Sequence, residues 1–341
     1  MTQVSKVLII QTAFLGDAVL LTSLLEKIRI ESPNTSIHVL IRKGFEDVFK
    51  AYTHKNLGQV WTYDKADKLK SWWALRHELA KEKFDQVFVA QRFFGMGLLS
   101  ISIGAKKVVG FDKNPLSLFF DEKVPHEFGQ GKHEIERNTQ LLASWLGGTL
   151  HKPFLDAGLA GQLPSDLQPK NYLCISPGSV WETKRFPVQK WMDFIRLLPR
   201  DLKIVLMGSL AEKHLSDEIE QAFSNDSRKI QNACGRFNLL EALSVFKHSQ
   251  MSFVNDSGPL HLCSAVNTPT VAIFCSTIPA FGFGPLAEKH KIIEVKEKLT
   301  CRPCGDHGKK SCPEIHFNCA NLIDVNEMFE AYQEFLSSGS K

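Results

Sequence analysis

Residues 251–274, MSFVNDSGPLHLCSAVNTPTVAIF, contain the clearest local pattern in the chain. Short apolar runs at both ends have the character of buried strands, and the stretch between them has helical spacing. Ser257 and Gly258 are suited to cap this helix. Pro259 suits its first turn, because proline lacks the N–H group that would be unpaired there. The segment therefore predicts a strand, a tight turn, a helix and a second strand.

The turn in this segment places a helix N-terminus at the carboxyl end of a strand. Such a terminus carries N–H groups without helical partners and the positive end of the helix dipole, which together favour a phosphate. Ligands of open α/β sheets also bind at this edge. Ordinary strand–helix turns share the pattern, so Asp256, Ser257 and Gly258 form either a phosphate site or a plain connection. His261, in the first helical turn, has both a phosphate-contacting and a structural interpretation.

The composition is that of a soluble globular protein. The 341 residues are 43% hydrophobic and 23% charged, and no apolar run reaches membrane-spanning length. A net charge of +4 does not suggest a nucleic-acid partner, but it suits an anionic small molecule or an anionic membrane surface. The N-terminal sequence lacks the apolar core and cleavage site of a signal peptide, so we expect a cytoplasmic protein.

Strand-like and helix-like segments alternate along the chain, which predicts an α/β protein with parallel sheets. A chain of this length favours two domains. The Gly-, Pro- and polar-rich stretch 156–171 predicts the boundary between them. The expected division is a first domain at residues 1–160, a second at 161–324 and a C-terminal helix at 325–341 that packs back towards the first domain.

The loop after the first predicted strand is residues 12–17, TAFLGD. It has one glycine and does not match the GxGxxG fingerprint, which excludes a nicotinamide cofactor. Asp17 is either a cap of the following helix or a carboxylate directed at a ligand.

Farther along, a lysine-rich helix predicted at 65–83 carries Trp72 and Trp73. Its outer face is either solvated or in contact with a membrane surface.

A second anion-binding loop is predicted at residues 177–187, PGSVWETKRFP, after the first strand of the second domain. It combines a glycine turn with the side chains of Ser179, Thr183 and Lys184. Two predicted anion-binding loops that follow strands of one domain favour a phosphate site more strongly than either loop does alone. Glu212, after the next strand, can cap a helix or accept hydrogen bonds from ribose hydroxyls.

Cysteines Cys301, Cys304, Cys312 and Cys319 lie in a short Gly-, Pro- and Lys-rich segment. A CxxC pair followed by two more cysteines is a fair spacing for a structural zinc site, and zinc is the expected ligand. Reduced packing cysteines and a disulfide are the alternatives. A cytoplasmic location argues against the disulfide.

Four motifs in order resemble those of the ADP-heptose:lipopolysaccharide heptosyltransferases, glycosyltransferase family nine: FLGDAVLLTSLLEKIR, SPGSVWETKRFP, GSLAEK and NDSGPLHL. The resemblance covers residues 6–324. It implies a GT-B fold, in which two Rossmann-like domains face each other across a cleft. It also implies transfer of a heptose from ADP-heptose to a lipopolysaccharide inner-core acceptor, with inversion at the anomeric carbon and without a catalytic metal or other cofactor.

The resemblance also implies roles for individual residues. The acceptor binds mainly to the first domain, where Asp17 falls on the family's catalytic aspartate, and the nucleotide binds to the second domain. Lys184 belongs to the catalytic set, because its charge can stabilise the departing diphosphate. The residues expected to bind the donor are Ser179, Thr183, Lys184, Glu212, Asp256, Ser257, Gly258 and His261. Pro259 departs from the family pattern and removes one backbone donor.

The expected partners are a nucleotide sugar and a lipopolysaccharide core or lipid A acceptor, with peripheral contact at the cytoplasmic face of the inner membrane and no nucleic acid. Two alternatives stay open. One is a GT-B transferase or an epimerase that uses another nucleotide sugar. The other is a non-catalytic protein that binds nucleotide sugars.

Overall fold

The computed structural model describes residues 6–160 and 163–337. Three predicted features lie at or beyond the limits of these ranges: the start of the N-terminal sequence, the domain boundary between residues 160 and 161, and the last residues of the C-terminal helix. The chain divides into two compact units, Met1–Asp156 and Ala157–Lys341, and each is described by itself.

Strands and helices alternate through both units. The strands are β1 (Lys6–Gln11), β2 (Ser36–Arg42), β3 (Leu57–Tyr63), β4 (Gln86–Val89), β5 (Lys107–Phe111), β6 (Glu122–Val124), β7 (Tyr172–Ser176), β8 (Lys203–Leu206), β9 (Ile230–Asn232), β10 (Ser252–Asn255), β11 (Thr270–Phe274) and β12 (His290–Glu294). The helices are α1 (Leu15–Glu31), α2 (Glu46–Lys50), α3 (Lys68–Lys81), α4 (Phe94–Ser102), α5 (Glu134–Gln140), α6 (Ala143–Leu146), α7 (Val188–Leu197), α8 (Lys213–Ala222), α9 (Leu239–His248), α10 (Gly258–Ala265), α11 (Asn318–Asn321) and α12 (Val325–Ser337).

The first unit is built on a parallel sheet in the order β3-β2-β1-β4-β5-β6. Strand β1 lies near its centre, and its residues Val7, Leu8, Ile9 and Ile10 are fully buried. Continuous burial of this kind is expected for a parallel strand covered by helices on both faces. The strand order reverses between β1 and β4: β2 and β3 are added on one side of β1, and β4, β5 and β6 on the other. Rossmann-like sheets bind ligands at this reversal of strand order.

The second unit repeats this arrangement with the order β12-β11-β10-β7-β8-β9, again parallel throughout. Its reversal lies between β7 and β10. The strand, helix and strand predicted for residues 251–274 are β10, α10 and β11, with Pro259 in the first turn of α10. Both parallel sheets confirm the predicted α/β class.

The C-terminal helix α12 packs against α7 and β12 of the second unit. Its buried side chains Met328, Ala331, Tyr332 and Phe335 belong to the hydrophobic core of that unit, together with Trp191 of α7. The burial of α12 is thus accounted for within its own unit. The expectation that it packs back towards the first domain stays a prediction.

Several predicted element boundaries were wrong. Helix α1 begins at Leu15, so Asp17 lies inside its first turn and not in front of it. Strands β6 and β12 and helix α4 were not predicted. Among the described residues, no helix combines the length and the apolar character needed to cross a membrane.

Candidate active site

The site predicted in the second unit lies at the reversal between β7 and β10. The buried side chain of Asn255, the last residue of β10, joins the two loops. Its amide nitrogen donates to the carbonyls of Pro177 (2.8 Å) and Gly178 (3.2 Å), and its oxygen accepts from Phe186 N–H (3.1 Å). One amide therefore fixes both ends of the 177–186 loop. The sequence analysis missed this residue.

Lys184 and Asp256 form a largely buried ion pair at this place. Their Nζ and Oδ2 atoms are 2.7 Å apart, and the hydroxyl of Thr277 donates to the same carboxylate oxygen at 2.6 Å. The two predicted anion-binding loops are thus joined through their charged residues. An ammonium group has three donors, so Lys184 can keep Asp256 as a partner and still bind a phosphate oxygen.

The helix N-terminus beside this pair belongs to α10. Ser257 is the N-cap residue, as predicted by position, but its hydroxyl contacts the carbonyl of Asn255 at 3.3 Å and does not cap the helix. His261 is buried and meets the ring of Phe283 edge-on, with ring centroids 6.2 Å apart. This packing gives His261 a structural role, and its contact with a phosphate stays a prediction.

Ser179 and Glu212 lie on the loops that follow β7 and β8. The carbonyl of Ser179 accepts from Arg185 Nε at 2.8 Å, which closes the 179–185 turn. Glu212 accepts from the backbone N–H (3.0 Å) and the hydroxyl (2.7 Å) of Ser209, so it does cap its helix start. A Cβ atom at Gly178 would collide with the Glu212 carboxylate, and glycine therefore lets the two loops approach closely.

Thr183 was predicted to contact the donor. This residue is buried, and its hydroxyl is engaged by Ser276 and by the backbone of Lys309. Its hydrogen-bonding capacity is used within the protein, which does not favour the predicted direct contact with a donor molecule.

The cluster of Cys301, Cys304, Cys312 and Cys319 lines one cavity of about 310 Å³, which also reaches Thr183. Burial raises the pKa of the Cys319 thiol to about 11, and the neighbouring cysteines add to the effect. All eight cysteines lie in the described residues as free thiols. Within residues 6–160 and 163–337, no group of three or more His, Cys, Asp or Glu side chains is arranged to hold a metal ion. The arrangement therefore gives the zinc prediction no support.

The corresponding reversal in the first unit carries Asp17. Its carboxylate accepts from the N–H of Phe14 at 2.9 Å, across the first turn of α1. Buried glutamines join the two strands beside it: Gln11 Nε2 donates to Ala90 O at 2.6 Å, and Gln91 Oε1 accepts from Thr12 N–H at 3.1 Å. Asp17 is thus a partial cap on a fixed loop at the ligand-binding edge.

Basic side chains surround this edge of the first sheet. Burial lowers the pKa of Lys65, with Arg42 adding to the decrease and the charge of Asp17 opposing it. The same ammonium group lies 5.9 Å from the centroid of Phe93. Cations close to one carboxylate form a surface that suits an anionic ligand.

A second basic group lies beyond β4 and β6. The guanidinium groups of Arg92 and Arg137 lie 5.7 and 5.4 Å from the centroid of Phe128. Burial, helped by these two arginines, lowers the pKa of His126 to about 4, so that its imidazole is neutral near neutral pH. The sequence analysis did not identify this group, because its members are far apart along the chain.

Comparison with known proteins identifies the family. The sequence model described as "Glycosyltransferase family 9 (heptosyltransferase)" matches residues 72–313. This chain belongs to glycosyltransferase family 9. The resemblance inferred from the four motifs is confirmed. The protein is therefore an enzyme, a glycosyltransferase, as predicted.

Individual relatives agree with this assignment. The family 9 chain is 25% identical over 324 residues to lipopolysaccharide heptosyltransferase 1 of Pseudomonas aeruginosa, covering 90% of this chain and 87% of the relative. It is 28% identical over 322 residues to lipopolysaccharide heptosyltransferase 1 of Campylobacter coli, covering 86% and 91%. The structure of Escherichia coli ADP-heptose lps heptosyltransferase II matches with a TM-score of 0.81 and 19% identity, covering 98% of this chain and all of that one. The predicted GT-B fold class is confirmed.

The low pKa of His126 predicts a pH dependence of stability. The unfolded chain binds a proton below the ordinary pKa of 6.5, whereas the folded chain resists protonation until about pH 4. The unfolded state therefore gains protons first, and stability falls as pH decreases from 6.5 towards 4. We expect His126→Gln to flatten this decrease in melting temperature.

His77, which is exposed on α3, supplies the control. His77→Gln should follow the wild-type curve through the same pH range. A His126→Gln curve parallel to that of the wild type would show that the imidazole does not control this part of the profile.

Proposed function

We propose that this family 9 enzyme transfers a heptose from ADP-heptose to a lipopolysaccharide inner-core acceptor. The observation that carries the proposal is the Lys184–Asp256 pair beside the N-terminus of α10, at the reversal of a Rossmann-like sheet. The relatives described above include lipopolysaccharide heptosyltransferases and an ADP-heptose enzyme, which supports the choice of sugar and acceptor.

In the proposed reaction, an acceptor hydroxyl attacks the anomeric carbon of the heptose while Asp17 accepts its proton. The bond from that carbon to the β-phosphate oxygen breaks, and ADP leaves with the bonding electron pair. A single displacement inverts the anomeric centre. No metal or cofactor takes part in this scheme, since the protein's own cation is available to the leaving group.

The donor side of the scheme uses the second unit. Lys184 and the N–H groups around Ser257 and Gly258 stabilise the charge that grows on the diphosphate. Ser179 is proposed to contact a phosphate oxygen, and Glu212 to accept hydrogen bonds from the ribose. The remaining proposed donor contacts are Asp256 and His261.

The acceptor side uses the first unit. The cationic groups near Asp17 have the sign to bind an anionic acceptor. Lys65, which interacts electrostatically with both Asp17 and Arg42, is the first candidate. Arg92 is a further candidate, whereas Arg137 is buried and its charge is paired with Glu134 at 2.6 Å.

The first test is a thermal-shift comparison of nucleotides. A ligand that binds only the folded state raises the melting temperature by mass action, and we expect ADP to give a larger shift than UDP or GDP. A shift with UDP that equals or exceeds that of ADP would favour a transferase or epimerase with another nucleotide sugar.

Lys184→Ala should weaken ADP binding. A charge-assisted hydrogen bond contributes about 1.5–3 kcal/mol, which corresponds to roughly tenfold to a hundredfold in dissociation constant by titration calorimetry. The change also leaves the buried Asp256 carboxylate without its cation, so the melting temperature should decrease as well.

Lys213→Ala is the matched control, because this lysine is exposed and pairs with Asp217 in the same unit. It should keep wild-type ADP affinity. If Lys184→Ala also keeps that affinity, Lys184 does not bind the diphosphate.

Asp17→Asn separates catalysis from capping. An asparagine oxygen can still accept from Phe14 N–H, so melting temperature and ADP affinity should stay close to wild type. Loss of the proton acceptor should reduce turnover of ADP-heptose by about 10²–10⁴-fold.

Glu241 provides the control for the capping effect, because it accepts the Asn238 N–H at the start of α9 in the same way. Glu241→Gln should keep full turnover. Retention of most activity by Asp17→Asn would place the general base elsewhere. Absence of turnover in the wild-type protein, despite ADP binding, would favour the non-catalytic alternative.

We further propose a peripheral contact with the cytoplasmic face of the inner membrane. The first unit exposes apolar side chains on α3, α4 and the turn after β5: Leu69, Trp73, Phe94, Leu98, Leu118 and Phe119. Helix α4 is joined to α3 by Trp72 Nε1, which donates to Gly95 O at 2.8 Å. Lys68 and Lys70 are exposed beside Leu69, so charge and apolar area together suit an anionic lipid surface.

Vesicle sedimentation tests this contact. The protein should bind phosphatidylglycerol vesicles more strongly than phosphatidylcholine vesicles, and Leu69→Ser with Trp73→Ser should reduce the binding. Leu322→Ser makes the same type of change at an exposed leucine of the second unit and should not reduce the binding. Equal binding by both variants would remove α3 from the lipid-contacting surface.

Zinc at the cysteine cluster stays a prediction from spacing alone. Elemental analysis of protein purified without added metal tests it: about one zinc atom per chain would support it. Alkylation of Cys301, Cys304, Cys312 and Cys319 without any bound metal would favour reduced packing cysteines.

A further inference from the structure

The segment between β12 and α11 contacts the donor loop through its backbone. Lys309 O accepts from Thr183 N–H at 3.1 Å, and Lys309 N–H donates to the hydroxyl of Thr183 at 2.8 Å. Ser276, at the end of β11, donates to the same hydroxyl at 3.0 Å. Thr183 directly precedes Lys184, so these hydrogen bonds fix the residue next to the proposed diphosphate-binding cation.

The hydroxyl of Thr183 has no remaining capacity for a ligand. It accepts two hydrogen bonds, from Lys309 N–H and Ser276, and its own proton is directed at Lys309 O, 3.3 Å away. A hydroxyl offers one donor and two acceptor positions. Thr183 therefore contributes to the donor site by holding its loop.

Gly308 packs against the same loop. Its φ of +82° is in the left-handed region, and a Cβ atom built there would lie 3.0 Å from Lys184 Cγ and 3.0 Å from Thr183 Oγ1. The aliphatic part of Lys184 thus lies against the backbone of residue 308. Only glycine gives this backbone both its conformation and its close approach.

The segment that carries Gly308 is itself fixed to the sheet. Cys304 N–H donates to Ser276 O at 2.8 Å. The guanidinium of Arg302 donates to the carbonyls of Cys275 (2.7 Å) and Thr277 (2.7 Å) and to the carboxylate of Glu294 (2.6 Å). These hydrogen bonds connect the segment to the carboxyl ends of β11 and β12. The segment can therefore hold the donor loop in a fixed position.

We propose that Gly308, Lys309 and Thr183 form a latch that positions Lys184 for the donor diphosphate. Thr183 and Gly308 are positioning residues, because they act through Lys184 and the loop. The inference rests on the proposed role of Lys184 in diphosphate binding. It gives the cysteine-bearing segment a part in donor affinity that is independent of any metal.

The first experiment compares two substitutions of Thr183. Thr183→Val keeps the shape of the side chain and removes the hydroxyl, whereas Thr183→Ser keeps the hydroxyl. Thr183→Val removes all three hydrogen bonds of the hydroxyl, and we expect the looser loop to raise the ADP dissociation constant and the donor KM by about tenfold. The acceptor KM should not change, and Thr183→Ser should restore donor affinity.

The second experiment uses two glycines of the same segment. Gly305 has a φ of +75° and open space where a Cβ would be, whereas Gly308 has a similar φ and meets Lys184 and Thr183. Alanine imposes comparable backbone strain at both positions. Gly308→Ala should therefore weaken ADP binding by several-fold more than Gly305→Ala, although both lower the melting temperature.

Inorganic pyrophosphate serves as a second probe, because it tests the anion site without a nucleotide. If the wild type binds neither ADP nor pyrophosphate, the proposed donor site fails. If it binds either probe and Gly308→Ala and Thr183→Val bind as tightly as Gly305→Ala and Thr183→Ser, the donor site stands and the latch is overturned.

Discussion

The buried amide of Asn255 is the contact on which the donor-side geometry depends. It ends β10 and satisfies backbone groups at both ends of the 177–186 loop, with donors and an acceptor that only an amide side chain offers together. Without it, two carbonyls and one N–H group would be left buried and unpaired, at a cost of about 1–3 kcal/mol each. The loop that carries Lys184 is thus held by the strand that precedes the α10 N-terminus, and the two anion-binding elements cannot move independently.

The ion pair of Lys184 with Asp256 keeps a cation available in a buried place. An unpaired ammonium group would resist burial, whereas the carboxylate and the hydroxyl of Thr277 compensate for its lost hydration. The pair is neutral as a whole, so attraction for the proposed diphosphate would come from the remaining donors of Lys184 and from the N-terminus of α10. A site of this design favours a ligand that bridges both, because neither donor group alone carries a full unbalanced charge.

Local sequence patterns predicted the helices and strands whose formation depends on residues close together in the chain. The strand–helix–strand unit at residues 251–274 was found because its apolar runs, its proline and its turn residues agree with one another. Strands β6 and β12 were missed because they are short or polar edge strands, and α4 because its two glycines resemble a loop. The role of Asn255 depends on a loop 69–78 residues away in sequence, which no local pattern contains.

Thr183 shows how the same limit applies to function. From the sequence it was a hydroxyl beside a lysine in a phosphate-binding loop, and a donor contact was the direct interpretation. Its hydroxyl is instead satisfied by Ser276 and by Lys309, which is 126 residues farther along the chain. A hydroxyl already saturated within the protein gains little by exchanging a partner for a phosphate oxygen, because the displaced N–H group would be left unpaired. Its value to the site is that it holds Lys184 in place before a ligand arrives, so that less ordering entropy is lost on binding.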